Sequence, residues 1–177
     1  MIKKGKKGKD FEKIIKDSAA LKNIFFLRLQ DNLKFGGKVE GARFSQKSPY
    51  DSIIFMTKTL YCVELKSTGE VSLSIGKDKM IKTHQIEELT KANQYDNVVG
   101  GFLIQFKERI TKTTYRDEDV FFIYIEDFNK FLANNTKKSI SYSDCKEIGH
   151  KISKIDIGKR KHIYLYNLLD LKDCVKI

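Results

Sequence analysis

An aspartate and a glutamate–lysine pair lie close together in two segments that the sequence predicts to be neighbouring strands. Asp51 begins the segment 51–57, and Glu64, thirteen residues after Asp51, lies with Lys66 at the end of the segment 60–66. Side chains alternate along a strand, so Glu64 and Lys66 project from the same face. Carboxylates with room for water suit Mg²⁺ or Mn²⁺, whereas zinc prefers histidine or cysteine. The pattern therefore predicts a site for a hard divalent cation beside a lysine.

The distance between these residues depends on how the two segments pair. A short turn between residues 57 and 59 makes them a hairpin, in which Asp51 lies opposite residue 64, 65 or 66. Paired positions have Cα atoms about 5 Å apart, so two carboxylates and an ammonium group converge. Charges within a sheet are costly to bury without a partner. Two interpretations follow: a metal site, or an ion pair with a structural role only.

A divalent cation next to a lysine is suited to phosphodiester hydrolysis. The metal would activate water and neutralise charge on the phosphate, and the lysine would orient or stabilise the reacting group. An enzyme must lower the barrier to this slow reaction by on the order of 20 kcal/mol, whereas one hydrogen-bond donor contributes only about 3 kcal/mol. Lysine alone would therefore not be sufficient.

The charge balance of the chain favours a polyanionic partner. The 34 Lys and Arg residues outnumber the 23 Asp and Glu residues, which gives a net charge of +11 and a pI near 9.4. Nucleic acid is the expected partner, and an anionic membrane surface stays open as an alternative. No apolar stretch approaches the ~18 residues of a membrane span and the N-terminus lacks an apolar leader, so we expect a cytoplasmic protein. The spacing of Cys62, Cys145 and Cys174 predicts neither disulfides nor a zinc site.

The 177 residues predict a single domain. Residues 1–9 are expected to be a flexible basic arm, and residues 10–177 the folded domain. Apolar periodicity predicts helices from Asp10, over residues 83–95 with Thr83 as the N-cap, and over residues 126–132. It predicts further strands over residues 24–30, 102–106 and 120–125. This succession indicates an α/β or α+β fold around one mixed sheet.

Two clusters of basic residues are candidates for contact with DNA phosphates. They are Lys3, Lys4, Lys6, Lys7 and Lys9 in the arm, and Lys159, Arg160 and Lys161 near the C-terminus. Each cluster has a simpler interpretation, a solubilising tail for the first and a solvated charged surface for the second.

The motif formed by residues 49–51 (PYD) and 64–66 (ELK) resembles that of the PD-(D/E)XK nuclease superfamily. Residues 8–12 (GKDFE), 64–68 (ELKST), 84–87 (HQIE) and 100–104 (GGFLI) narrow the resemblance to RecU-type Holliday junction resolvases, over roughly residues 8–166. This resemblance implies an α/β, restriction-endonuclease-like core in which helices flank a mixed sheet. It also implies a Mg²⁺-dependent homodimer that resolves four-way DNA junctions by paired nicks, with a stalk that enters the junction.

Carried over residue by residue, the resemblance makes Asp51 and Glu64 metal ligands and Lys66 the transition-state stabiliser. It makes Gln85, on the second predicted helix, a further metal ligand, and Glu12, on the first, another acid of the catalytic site. Mg²⁺ is the implied cofactor, for which Mn²⁺ can substitute. A recombination helicase or recombinase is a further candidate partner. The segment between Lys66 and His84 matches the family poorly, which leaves the stalk open.

Two other functions remain compatible with these residues. The first is a restriction-like or repair nuclease that cuts duplex DNA. The second is a basic DNA-binding protein that has the same fold and no catalytic activity.

Overall fold

The computed structural model describes residues 6–29, 48–158 and 164–174. The helices are α1 (Lys6–Leu21), α2 (Thr83–Ala92), α3 (Ile125–Asn134) and α4 (Tyr142–Ile148), followed by a 3-10 helix (Leu168–Cys174). The strands are β1 (Phe25–Arg28), β2 (Ser52–Met56), β3 (Thr59–Thr68), β4 (Ser72–Ser74), β5 (Val98–Phe106), β6 (Arg109–Ile110), β7 (Tyr115–Arg116), β8 (Asp119–Tyr124), β9 (Ser139–Ser141), β10 (His150–Ile152), β11 (Lys154–Asp156) and β12 (Tyr164–Tyr166).

A mixed sheet forms the centre of the fold. Within the described residues, six strands of this sheet follow the order β1-β2-β3-β5-β8-β10. The pair β3–β5 is parallel, and each of the other neighbouring pairs is antiparallel. Strand β5 is buried along nearly its whole length, as expected for a strand covered on both faces. Helices cover the two faces, so the predicted α/β fold, a mixed sheet flanked by helices, is confirmed.

Helix α1 packs on one face of the sheet, which we call the α1 face. Phe11, Ile15 and Ala19 recur every four residues and are buried there with Tyr61 and Val63 of β3. The 3-10 helix adds two buried leucines, Leu168 and Leu171, to this cluster.

The opposite face, which we call the α2 face, carries α2 and α3. Leu89 of α2 and Phe128 of α3 are fully buried there against Cys62 and Phe102 of the sheet. Gly100 on β5 permits this close approach, because a Cβ at that position would collide with the backbone carbonyl of Leu89. The two faces therefore differ in which helices can supply side chains to a site.

The starts of three helices differ from the sequence prediction. Helix α1 begins at Lys6 instead of Asp10, so residues 6–9 are helical and not part of a flexible arm. Lysine is a good helix former, and its propensity offsets part of the cost of Gly8. Residues 1–5 of the expected arm lie outside the described residues.

Thr83 was predicted as the N-cap of α2, but Lys82 occupies that position. The side chain of Gln85 accepts a 3.0 Å hydrogen bond from the Lys82 backbone amide, which lets the helix begin one residue early. Helix α3 likewise begins at Ile125, one residue before the predicted start.

All three cysteines are free thiols, two of them buried. Among the described residues, no helix combines the length and hydropathy needed to cross a membrane.

Candidate active site

The β2–β3 hairpin sets the position of Asp51. Met56 pairs with Thr59 and Ser52 pairs with Val63, which selects the first of the three predicted registers and directs Asp51 towards Glu64. The Leu65 backbone amide donates a 2.9 Å hydrogen bond to Asp51 Oδ2. On the other side, the Leu29 amide donates a 2.9 Å bond to the Asp51 carbonyl oxygen. Asp51 is therefore held between the chain after β1 and strand β3.

Glu64 and Lys66 project together from the α2 face, as alternation predicted. The Lys66 ammonium group lies 2.7 Å from Glu64 Oε1. Glu64 is only 3% exposed, and the Lys66 side chain is 13% exposed. This is a largely desolvated ion pair, whose geometry is restricted by the two flanking strands β2 and β5.

Helix α2 supplies a third group to Glu64. The Gln85 side-chain amide nitrogen donates to Glu64 Oε1, the same oxygen that accepts from Lys66. The Gln85 oxygen accepts from the Lys82 backbone amide, and this bond fixes which end of the side-chain amide faces the carboxylate. In this arrangement Gln85 is a hydrogen-bond donor to Glu64. Its predicted role as a metal ligand would require the side-chain amide to rotate and lose the bond to Lys82.

Burial makes ionisation of Glu64 difficult. Desolvation raises the pKa of Glu64 from its ordinary value of 4.5 to about 7, although the Lys66 ammonium group acts to lower it. The neighbouring Asp51 carboxylate raises this pKa further. One ammonium group therefore does not compensate for two nearby acids.

The donor set at this position fits a hard divalent cation. In the described part of the chain, the bonds from Leu65, Lys66 and Gln85 go to one oxygen of each acid, Asp51 Oδ2 and Glu64 Oε1, and the two carboxyl groups also interact with each other. Such oxygens, completed by water, are typical of Mg²⁺ sites. The described residues contain no group of three or more His, Cys, Asp or Glu side chains arranged to hold a metal. Asp51 and Glu64 are the two acids at this position that would hold such an ion.

Glu12 lies on the other face of the sheet. Its carboxylate forms an ion pair with Arg28, and Arg28 pairs with Ser52 across β1 and β2. Helix α1 packs on the α1 face, whereas Glu64 projects from the α2 face. Arg28 is adjacent in sequence to Leu29, whose backbone amide bonds to Asp51. Glu12 therefore lies near the same end of the sheet as Asp51, but on the α1 face. Its catalytic role stays a prediction.

The structure does not describe the side chains of the predicted DNA-binding residues. Lys3, Lys4, Lys159, Arg160 and Lys161 lie outside the described residues, as do the side chains of Lys6, Lys7 and Lys9. Their roles stay predictions. His84, which precedes Gln85, is exposed on the first turn of α2.

Comparison with known proteins finds a relative in sequence and similar solved structures. No family model matches the chain. Hjc, a Holliday junction resolvase from the archaeal hyperthermophile Archaeoglobus fulgidus, is similar over 81% of this chain and 95% of its own, with a TM-score of 0.48 and 15% identity. The SPbeta prophage-derived uncharacterized protein YotM of Bacillus subtilis (strain 168) is 35% identical over an alignment that covers 91% of this chain and 82% of YotM. At that identity and coverage, the chain belongs to the family of the prophage protein YotM.

Proposed function

We propose that the protein is a Mg²⁺-dependent DNA endonuclease that resolves four-way junctions by paired nicks. One observation carries the proposal: the buried carboxylate of Glu64 accepts from both Lys66 and Gln85, beside Asp51. The resemblance of residues 49–51 and 64–66 to the PD-(D/E)XK motif supports the same chemistry.

The electrostatics of the site are those expected of a cation site. A structural pair whose attraction outweighed the cost of burial would hold Glu64 ionised, with a pKa below its ordinary value. Burial and Asp51 instead raise that pKa to about 7, which indicates that the site has too little positive charge for its two acids. A divalent cation would supply the missing charge, and the net charge of +11 would attract a polyanionic substrate.

Each residue of the candidate site has a separate proposed role in cleavage. A bound Mg²⁺ would activate water and neutralise charge on the scissile phosphate. Asp51 and Glu64 hold the ion, and the backbone amide of Leu65 keeps Asp51 in position. The Lys66 ammonium group lies next to Glu64 and can donate to a phosphate oxygen. Gln85 orients Glu64 through a hydrogen bond to one of its oxygens.

A cleavage assay tests the proposal. The protein is incubated with a synthetic four-way junction and with a linear duplex of the same sequence, each with Mg²⁺ and with EDTA. Paired nicks on the junction alone, and only with Mg²⁺, are the expected result. Cleavage of the duplex would instead favour a restriction-like or repair nuclease. Binding without cleavage would favour a DNA-binding protein that has the fold and no activity.

We also propose that the active form is a homodimer, because paired nicks on two strands require two sites. The proposed location of this homodimer is the bacterial cytoplasm. Light scattering coupled to size-exclusion chromatography measures the mass of the free protein and of its complex with a junction. A complex with one protomer per junction would contradict this proposal.

A further inference from the structure

A turn rich in lysine lies next to the candidate active site. We call residues 76–82, with the sequence GKDKMIK, the lysine turn. The Gly76 amide donates a 2.9 Å bond to the Ile81 carbonyl oxygen, and the Ile81 amide donates a 2.9 Å bond to the Ser74 carbonyl oxygen. Ile75 and Ile81 form a parallel bridge, and the Ile81 side chain is fully buried. The turn is thus closed on itself and anchored to the core.

The anchored turn does not have the form of a projecting stalk. The strand that precedes it, β4, pairs along its length with β9, and Leu73 of β4 is fully buried. The chain between Lys66 and His84 therefore stays against the body of the domain. A stalk that enters a junction was left open by the sequence, and these residues provide a short fixed turn in its place.

Hydrogen bonds connect the lysine turn to the catalytic carboxylate. The turn ends at Lys82, whose backbone amide donates to the side chain of Gln85, and Gln85 donates to Glu64. Only one side chain therefore separates the end of the turn from Glu64. Because Lys82 is held by its backbone, its side chain is free to contact a ligand without disturbing this connection.

The lysines of the turn have no acidic partners in the described structure. Lys77, Lys79 and Lys82 are exposed, and none of them forms an ion pair with another described residue. By contrast, Lys151 and Lys154 are paired with aspartates. Asp78 is the single acid in the turn, so the segment carries a net charge of +2. Unpaired ammonium groups on a fixed backbone are suited to bind phosphates.

We infer that the lysine turn binds backbone phosphates of the DNA strand that enters the Asp51–Glu64 site. The choice of DNA as the polyanion rests on the proposed nuclease function. A lysine ammonium group binds a phosphate as a point charge, and a phosphate contact carries no sequence information. The turn therefore contributes affinity and positions the DNA strand without base specificity. Its attachment next to Glu64 places the bound phosphates beside the bond to be cut.

A pair of matched triple variants tests this inference. The first variant replaces Lys77, Lys79 and Lys82 by alanine. The control replaces Lys16 of α1, Lys22 in the turn after α1 and Lys172 of the 3-10 helix, all of which are also exposed. Fluorescence anisotropy with a labelled four-way junction and a duplex, in EDTA and over a range of salt concentrations, measures affinity and its salt dependence. A third variant, with arginine at the three turn positions, retains the charge.

We expect the slope of log affinity against log salt to become shallower by about 2 to 3 in the alanine variant of the turn, since each lost phosphate contact removes about 0.9. The arginine variant should keep the slope of the natural protein, and the control should change it by less than about 1. Equal changes in the turn variant and the control, or an unchanged slope in the turn variant, would overturn the inference.

The assay separates this inference from the proposed function. If the natural protein cuts junctions and the turn variant binds DNA like the natural protein, the inference alone fails. If the natural protein binds neither DNA substrate, both proposals fail. If it binds through the turn and does not cut, the nuclease proposal fails and the phosphate contact stands.

Discussion

The backbone amide of Leu65 lies 2.9 Å from Asp51 Oδ2 and donates a hydrogen bond to it. This bond joins the residue before β2 to the centre of β3, one position away from Glu64. It leaves the second oxygen of Asp51 without a described N–H donor. A backbone amide, not a side chain, thus fixes the aspartate of the candidate metal site, and substitutions of Asp51 can separate its structural role from its chemical role.

Asp51→Asn should abolish cleavage and leave the fold intact. Asparagine retains an oxygen that can accept from the Leu65 amide, but it removes a negative charge from the candidate metal site. We expect a loss of at least about a hundredfold in cleavage rate, with junction affinity in EDTA within a factor of about three. Asp51→Ala should in addition lower the melting temperature, because the Leu65 amide loses its acceptor. Full activity in Asp51→Asn would show that the acid is structural.

The stability of the metal-free protein should reveal the raised pKa of Glu64. The pKa of this carboxyl is 4.5 ordinarily and about 7 in the fold, so the folded state keeps a proton that the unfolded state has released. The stabilisation from this group is complete below about pH 4.5 and is lost as pH rises through about 7. The difference corresponds to roughly 3 kcal/mol.

Glu64→Gln removes this titration. In EDTA, the natural protein should lose stability between pH 4.5 and pH 8 relative to Glu64→Gln. The difference in free energy of unfolding, variant minus natural protein, should therefore rise by roughly 3 kcal/mol over this range. Urea denaturation at several pH values measures it. Parallel stability curves for the two proteins would contradict a raised pKa. The variant should also fail to cleave DNA, as expected for loss of a proposed metal ligand.

Lys66→Met should slow cleavage and shift the titration of Glu64 upwards. The Lys66 ammonium group lowers the pKa of Glu64, so its removal leaves the carboxyl protonated to a higher pH. The pH midpoint of Mn²⁺ binding, measured by calorimetry, should move in the same direction. We expect a hundredfold to thousandfold loss in cleavage rate at saturating Mg²⁺. An unchanged midpoint would mean that Lys66 and Glu64 are not coupled in solution.

Gly100→Ala should displace helix α2 and thereby disturb the site at a distance. A Cβ at Gly100 would collide with the Leu89 carbonyl group, which is backbone and cannot rotate away. We expect a loss of about 1 to 3 kcal/mol in stability, typical of overpacking, and reduced cleavage because Gln85 moves with the helix. Gly69→Ala is the control, since nothing lies within 4 Å of the added Cβ. Equal stability of the two variants would contradict this account.

The main helices and strands up to α3, and the grouping of Asp51 with Glu64 and Lys66, could be predicted because short-range signals specify them. Strand-forming residues on both sides of a turn predicted the hairpin, and alternation placed Glu64 and Lys66 on one face. The resemblance added Gln85, and the structure places this side chain against Glu64.

Other contacts depend on tertiary geometry that the sequence does not encode locally. The role of Gln85 as a donor follows from the Lys82 amide that holds its oxygen, and the pairing of Glu12 with Arg28 follows from the packing of α1 on β1. The N-cap at Lys82 could not be anticipated because lysine is not a preferred capping residue. Three registers of the hairpin were compatible with the sequence, and the turn decides among them.

That turn consists of Thr57 and Lys58, and both have positive φ angles, 47° and 67°. Two-residue hairpin turns of this type normally use asparagine and glycine, since a β-branched residue is strained there. Insertion of a single residue would shift the ladder by one and send the carboxylate of Asp51 to the side of the sheet occupied by helix α1. Natural variants of this chain should therefore tolerate changes of amino acid in the loop far more readily than changes in its length.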